Sequence, residues 1–454
     1  MSDHDKDLIK KDLLYILQLN AKIHYENSAE VQKTYDLALQ KNLFQTLLGQ
    51  KYLKRLRQIA DGTDISDNCV LCGNDLDNSS LICSTCLSKY KFTAAKKETT
   101  TAVKAKHDVQ QDSSQQFTNI SKQTATTLKN GLDTFTTKIN EMAGESGAVD
   151  LKLRDLFSGV FKKHTREESE EIFIAGTLKT TPAETDIAVS WPRPWLFSRV
   201  LTALLASFGL LYVCATQFQN ANVIPGLMFL GALAIPFSVL IFIFETNAPR
   251  NISIFEVVKM FFVGGSASLV LTLFLFEIFP ADGLDYSGAV IIGFVEELGK
   301  LLAIAIYVKL LNPKYILNGM LIGASIGAGF AVFETAGYAF SFYILSGGRM
   351  SYLIDTLFLR GWSSLGGHVA WATIIGAGLV MVKGNQLFEF KLFTNGKFQK
   401  FFFIPVILHA IWDCPFMRGS KIKLLALIAI AWIIILVLLN AGLKQIERIS
   451  VSHS

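Results

Sequence analysis

From Trp191 onward the chain is a succession of apolar segments, and this limits its fold more than any other feature. Eight stretches, approximately 195–216, 223–244, 257–279, 286–309, 315–344, 362–382, 400–416 and 424–443, are rich enough in apolar residues to cross a bilayer. A backbone in hydrocarbon must satisfy its own hydrogen bonds, which leaves the helix as the usable form. The expected fold class is therefore an all-α polytopic membrane protein. It has about eight transmembrane helices preceded by a soluble N-terminal region. The composition agrees: 51% of residues are hydrophobic and 18% are charged, against about 25% charged in soluble domains. The segment 400–416 is the shortest and holds a His and an Asp. The segment 315–344 is longer than a crossing needs, so it would tilt or extend past the interface.

The start, MSDHDKDLIK, has no apolar core of a signal peptide. The net charge of +5 comes without a basic block, which excludes nucleic acid as an expected partner. Short loops rich in Lys and Arg stay in the cytoplasm. The connections holding Arg250 and Lys259, Lys309 and Lys314, and Lys383, Lys391, Lys397 and Lys400 read as cytoplasmic. The connection at 217–222 and the acidic one at Asp282 and Asp285 read as external. A multi-pass protein of the cell (inner) membrane follows, with both termini cytoplasmic. Two connections oppose this assignment: Arg349 with Arg360, and Arg418 with Lys421 and Lys423.

The organisation read from the chain is a helical region at 1–65 and a small Cys module at 66–92. A polar tether follows at 93–190, then a membrane domain at 191–445 and a tail at 446–454. A helix is expected over 28–59, opened by Asn27 with Glu30 as a capping box and stopped at Asp61-Gly62. Next comes CVLCGNDLDNSSLICSTC, with Cys69, Cys72, Cys83 and Cys86. Two CxxC pairs complete the four-thiolate shell that structural zinc prefers and leave no open position for chemistry. Two disulfides are the alternative, which a cytoplasmic setting disfavours. Within the tether, Phe117, Ile120, Thr124, Leu128, Leu132, Phe135, Ile139 and Met142 recur at helical spacing across Gly131. A tether with a helix or a self-associating helix fits this pattern, and the region could dock a cytoplasmic protein.

Four of the apolar segments carry ionisable residues, which are costly in lipid and functional by default. GFVEELGK holds Glu296, Glu297 and Lys300; GFAVFETAGY holds Glu334 and Tyr338; RGWSSLGGHVAW holds Arg360 and His368; HAIWD holds His409 and Asp413. Positions four apart share a helix face. Glu296 therefore stacks with Lys300, Glu334 with Tyr338, and His409 with Asp413. At a rise of about 1.5 Å per residue, the four groups fall in one layer between the midplane and the external face. Gly319, Gly323 and Gly327 in GMLIGASIGAGFA allow a neighbouring helix to approach closely.

These motifs resemble those of the PrsW-type intramembrane proteases, within the wider superfamily of CAAX-prenyl proteases and bacteriocin-processing enzymes. EELGK resembles the double-Glu motif, GAGFAVFET the second, GGHVAWATIIGAG the third and HAIWD the fourth, in the family's order and over roughly 195–443. Thr335 stands where the family usually has Asn, and Asp413 stands where the prenyl-protease branch has Asn. The resemblance implies an intramembrane endopeptidase acting on a membrane-anchored protein in the bilayer. It implies Glu296 or Glu297 as general base, with His368 holding the water. His409, oriented by Asp413, would stabilise the oxyanion, and Glu334 would be a supporting or metal-side carboxylate. Lys300 balances charge, and Arg360 contacts substrate or lipid headgroups. A catalytic zinc on His368, His409 and Glu297 is the alternative to water activated by Glu alone; HExxH is absent. Cys214 and Cys414 read as packing residues. A proton- or ion-coupled transporter and a catalytically silent scaffold are the competing readings.

Overall fold

A computed structural model describes residues 110–281, 283–417 and 419–453. Nearer the N-terminus it describes 28–40, 47–62, 68–72, 81–83 and the single positions 12, 16, 44, 74, 85 and 86. Asn27, Asp282 and Arg418, and residues 93–109 of the tether, lie outside the described residues. The described residues contain helices and no strand. The chain divides into two compact units, residues 1–110 and 111–454.

In the first unit the stretch 28–59 is two helices, α1 (Ser28–Gln40) and α2 (Leu47–Ala60). Val31 of α1 and Tyr52 and Leu56 of α2 lie in one buried apolar cluster. α2 turns Tyr52, Leu53 and Leu56 inward, at the three- and four-residue steps of an amphipathic helix. It ends at Gly62, whose φ of +68° suits a residue without Cβ.

The second unit opens with α3 (Gln110–Ala143). Its last turns enter the core through Thr136, Ile139, Asn140 and Ala143, while Leu128 stays exposed. Asn140 Nδ2 donates to the carbonyls of Ser146 and Gly147 and fixes the turn that follows. α4 (Arg166–Phe173) starts with a capping box of Thr165 and Glu168. The apolar bundle follows: α5 (Leu196–Thr216), α6 (Ile224–Thr246), α7 (Ile254–Lys259), a π-helical turn (Met260–Gly264), α8 (Gly265–Ile278), α9 (Tyr286–Leu311) and α10 (Ile316–Leu345). It continues with α11 (Met350–Ser363), α12 (His368–Lys383), α13 (Gly396–Asp413) and α14 (Lys421–His453).

Among the described residues, six helical stretches are long and apolar enough to cross a membrane. They correspond to six of the eight expected spans. The other two exist as helices α9 and α13, and they carry the ionisable residues that lower their apolarity: Glu296, Glu297 and Lys300 in α9, and Lys397, Lys400, His409 and Asp413 in α13. The sixth expected span is longer than anticipated, because α11 precedes α12 across a 3-10 turn at Ser364–Gly366.

α10 is the central helix, with an unbroken buried run from Ile316 to Val332. It packs most extensively on α12. A Cβ at Gly319, Gly323 or Gly327 would collide with the backbone of Gly376, Ala372 or His368. These three glycines therefore set α10 backbone against α12 backbone. α9 packs on α13 in a similar way: a Cβ at Gly293 would lie 2.9 Å from Ala410 N and 3.0 Å from Val406 O. At the start of α5, the Glu245 carboxylate accepts the N–H groups of Trp195, Leu196 and Phe197. Free N–H groups at a helix N-terminus favour a negative charge there.

Candidate active site

The two glycine contacts bring four polar motifs to one cavity of about 500 Å³. α9 contributes Glu296, Glu297 and Lys300. Lys300 is fully buried, and its Nζ lies 2.9 Å from Glu297 Oε1 and 3.4 Å from Glu296 Oε2. It also sits 3.9 Å from the Phe330 ring centroid. A buried charge is tolerable when it is paired in this way.

Glu297 is also buried, and its Oε1 accepts His409 Nδ1 at 2.9 Å. His368 is held from the other side, with its Nε2 2.9 Å from Glu334 Oε2. An ionised carboxylate only accepts hydrogen bonds, so each imidazole carries a proton on the nitrogen facing its glutamate. The remaining nitrogens, His368 Nδ1 and His409 Nε2, each lie 3.8 Å from Glu296 Oε2. One ligand atom each from Glu296, His368 and His409 falls within 4.8 Å of the others. His368 Nδ1 is buried and has no hydrogen-bond partner among the described residues. Glu296, rather than its neighbour Glu297, is thus the carboxylate that faces both rings.

The donor set suits a divalent transition metal. Two imidazoles and a carboxylate are ligands that zinc accepts in open, catalytic sites. A carboxylate behind each imidazole is the usual outer support of such ligands. Formal charge agrees. Glu296, Glu297, Glu334 and Asp413 surround the site with two fixed cations, Lys300 and Arg360. Two negative charges are left over, which one divalent ion would balance.

Arg360 approaches from α11. Its guanidinium pairs with Glu334, donates to Thr335 Oγ1 at 3.2 Å and lies 4.3 Å from the Tyr338 ring centroid. Asp413 Oδ2 is 3.3 Å from His409 Nε2 and lines the cavity. This geometry is satisfied by a doubly protonated His409 bonded to both carboxylates, or by a neutral ring whose Nε2 faces a metal.

Two neighbours of these residues escaped sequence reasoning. Trp371 stacks on His409 with centroids 4.3 Å apart and meets His368 edge-on at 5.2 Å. Its position three residues after His368, on the same helix face, was the available signal. Lys423, from α14, donates to the carbonyls of Ile411, Trp412 and Cys414 at 3.0–3.2 Å and caps α13 beside Asp413. No local pattern marks that role. Arg360 and Lys423 are two of the cations that opposed the charge rule for orientation, and both are engaged inside the bundle.

In the first unit, the Cys69, Cys72, Cys83 and Cys86 sulfurs all lie within 4.8 Å of one another. No disulfide joins any of the four, and Cys72 is the exposed one.

Residues 249–440 match the family model described as PrsW family intramembrane metalloprotease. The matched segment contains every residue of the cavity's polar centre, whereas α5 and α6 precede it. No curated protein and no solved structure matches the chain.

Proposed function

We propose that the segment resembling the intramembrane metalloproteases hydrolyses a peptide bond of a membrane-anchored protein. In this reading Glu296, His368 and His409 hold a divalent metal, with zinc the best fit to the donors. The membrane is the cell membrane, and both termini are cytoplasmic. The observation that carries the reading is the paired arrangement of the rings. Each imidazole is bonded to a carboxylate through one nitrogen and turns the other toward Glu296.

A metal held there supplies Lewis acidity, which acidifies water and polarises a carbonyl. Glu334 and Glu297 orient the two rings and fix their tautomers. Lys300 pairs with Glu297 in a buried position. Arg360 anchors Glu334 and thereby His368, and it lines the cavity where a substrate or headgroup contact is expected from its sequence position. We assign to Asp413 Oδ2 the proton that leaves the attacking water. The water oxygen bonds the carbonyl carbon, the C–N bond breaks, and that proton ends on the departing amine. Trp371, Trp412 and Phe330 close the centre with apolar surface and restrict water. The four-Cys group takes no part, because four thiolates would complete a zinc shell and leave no open position.

The test is cleavage of candidate single-span membrane proteins in cells, at matched expression, by wild type, Glu296→Gln and His368→Ala. Loss of a specific product in both variants is expected, together with loss of metal from the purified membrane domain. A product unchanged in both would return the transporter and scaffold readings to the front. Full cleavage after complete removal of metal would support the doubly protonated His409 and water activated by Glu alone.

A further inference from the structure

The four-Cys group shares its core with the helices that precede it. Val70, Leu81 and Ile82, which flank the cysteines, are buried in one apolar cluster with Val31 of α1 and with Tyr52 and Leu56 of α2. Cys69, Cys83 and Cys86 belong to the same cluster. Val70 N–H donates to Leu81 O at 2.9 Å and joins the two Cys segments. Cys83 N–H points at Cys69 Sγ at 3.4 Å, and Cys72 and Cys83 sulfurs are 3.7 Å apart. Arg55 Nη1 of α2 donates to Asn68 O, immediately before the first cysteine, at 3.3 Å.

We infer that the four thiolates hold one zinc ion and that this ion is the centre on which α1 and α2 fold. Residues 28–86 are then one metal-dependent folding unit, instead of a helical region followed by an independent module.

α2 has 14 residues, and an isolated helix shorter than about 12–15 residues is marginal in water. Its charged positions are Lys51, Lys54, Arg55 and Arg57, with no acid among them. Lys51 with Arg55 and Lys54 with Arg57 are like-charge neighbours on one face, which weakens the helix further. A four-thiolate zinc centre keeps a net negative charge, which complements this cationic helix. Among the described residues, Cys69, Cys83 and Cys86 sit inside the apolar cluster that joins the two helices, so a metal on the cysteines would bind at the core they share. Binding free energy at a structural zinc site is folding free energy, because no preformed site exists in the unfolded chain.

The test uses the full chain purified in detergent. Zinc content is measured for wild type, Cys83→Ser/Cys86→Ser and Glu296→Gln. The Cys variant should lose one equivalent that Glu296→Gln retains, which separates this centre from the cavity in the bundle. Hydrogen exchange across Leu47–Ala60 is followed in wild type as purified, after chelation and after zinc is restored. Exchange in α2 should accelerate on the order of tenfold or more on chelation and recover with zinc. Because the wild-type chain is used, a variant that fails to fold does not decide the result. Acceleration confined to residues 68–86 would overturn the inference, as would unchanged protection of α2 without zinc or a chain that carries no zinc at the cysteines.

Discussion

Replacing Lys300 by Met keeps most of the side-chain volume and removes the one ammonium that faces both Glu296 and Glu297. Lys300 and Glu297 are both 0% exposed, and their charges are 2.9 Å apart. Removing one member of a buried pair costs about 3–5 kcal/mol, because the other charge stays buried and unmatched. The hydrogen bond from His409 Nδ1 to Glu297 survives, so the lower end of that range is expected. This corresponds to at least two powers of ten in the unfolding equilibrium, at about 1.4 kcal/mol per factor of ten. Glu297→Gln added to Lys300→Met removes the stranded charge while keeping an acceptor for His409. The double variant should recover about 2 kcal/mol, since a buried ion pair and its neutral replacement are often close in stability. Unfolding in mixed micelles, followed by Trp fluorescence as the fraction of denaturing detergent rises, measures all three. A Lys300→Met chain as stable as wild type would refute the reasoning, as would a double variant no better than the single.

Glu334→Gln and Glu297→Gln should each weaken metal binding by about 10–100-fold, because both carboxylates support a ligating ring; competition with a fluorescent chelator reads this directly. Gly323→Ala should destabilise the bundle by about 1–3 kcal/mol, because its Cβ meets the Ala372 backbone; the same micelle titration checks it. Lys423→Met leaves three carbonyls at the end of α13 without their donor and should cost about 1 kcal/mol. Lys423→Arg should recover part of that stability.

The polar groups of the cavity were legible because charges in apolar helices stand out. Glu296, Glu334, His368 and His409 each interrupt an otherwise apolar segment, and their order along the chain is enough to suggest convergence. The Lys300 pairing was legible too, since it needs only the pitch of one helix. The division of labour between Glu296 and Glu297 was not. Adjacent residues point about 100° apart, and which of them meets a second helix depends on how that helix docks. Here the contact of Gly293 with α13 decides it, and no spacing within α9 encodes the identity of its neighbour. α11 was also obscured. Its residues fell in the connection ahead of the 362–382 span, marked by Arg349 and Arg360, whereas the structure makes them a helix that meets α12 across the 3-10 turn at Ser364–Gly366.

The two backbone-on-backbone contacts divide the polar groups of the cavity in a particular way. Glu334 and His368 ride on α10 and α12, joined through Gly319, Gly323 and Gly327. Glu296, Glu297, Lys300, His409 and Asp413 ride on α9 and α13, joined through Gly293. The short bonds, Glu334 to His368 and Glu297 to His409, lie within each pair. The 3.8 Å separation between Glu296 and His368 runs from one pair to the other. A small slide of one rigid pair along the other would leave each imidazole with its own carboxylate and change that crossing distance first. An ion gripped by Glu296, His368 and His409 would act as a rivet through this seam, so that loading the centre and locking the two halves in register become the same event.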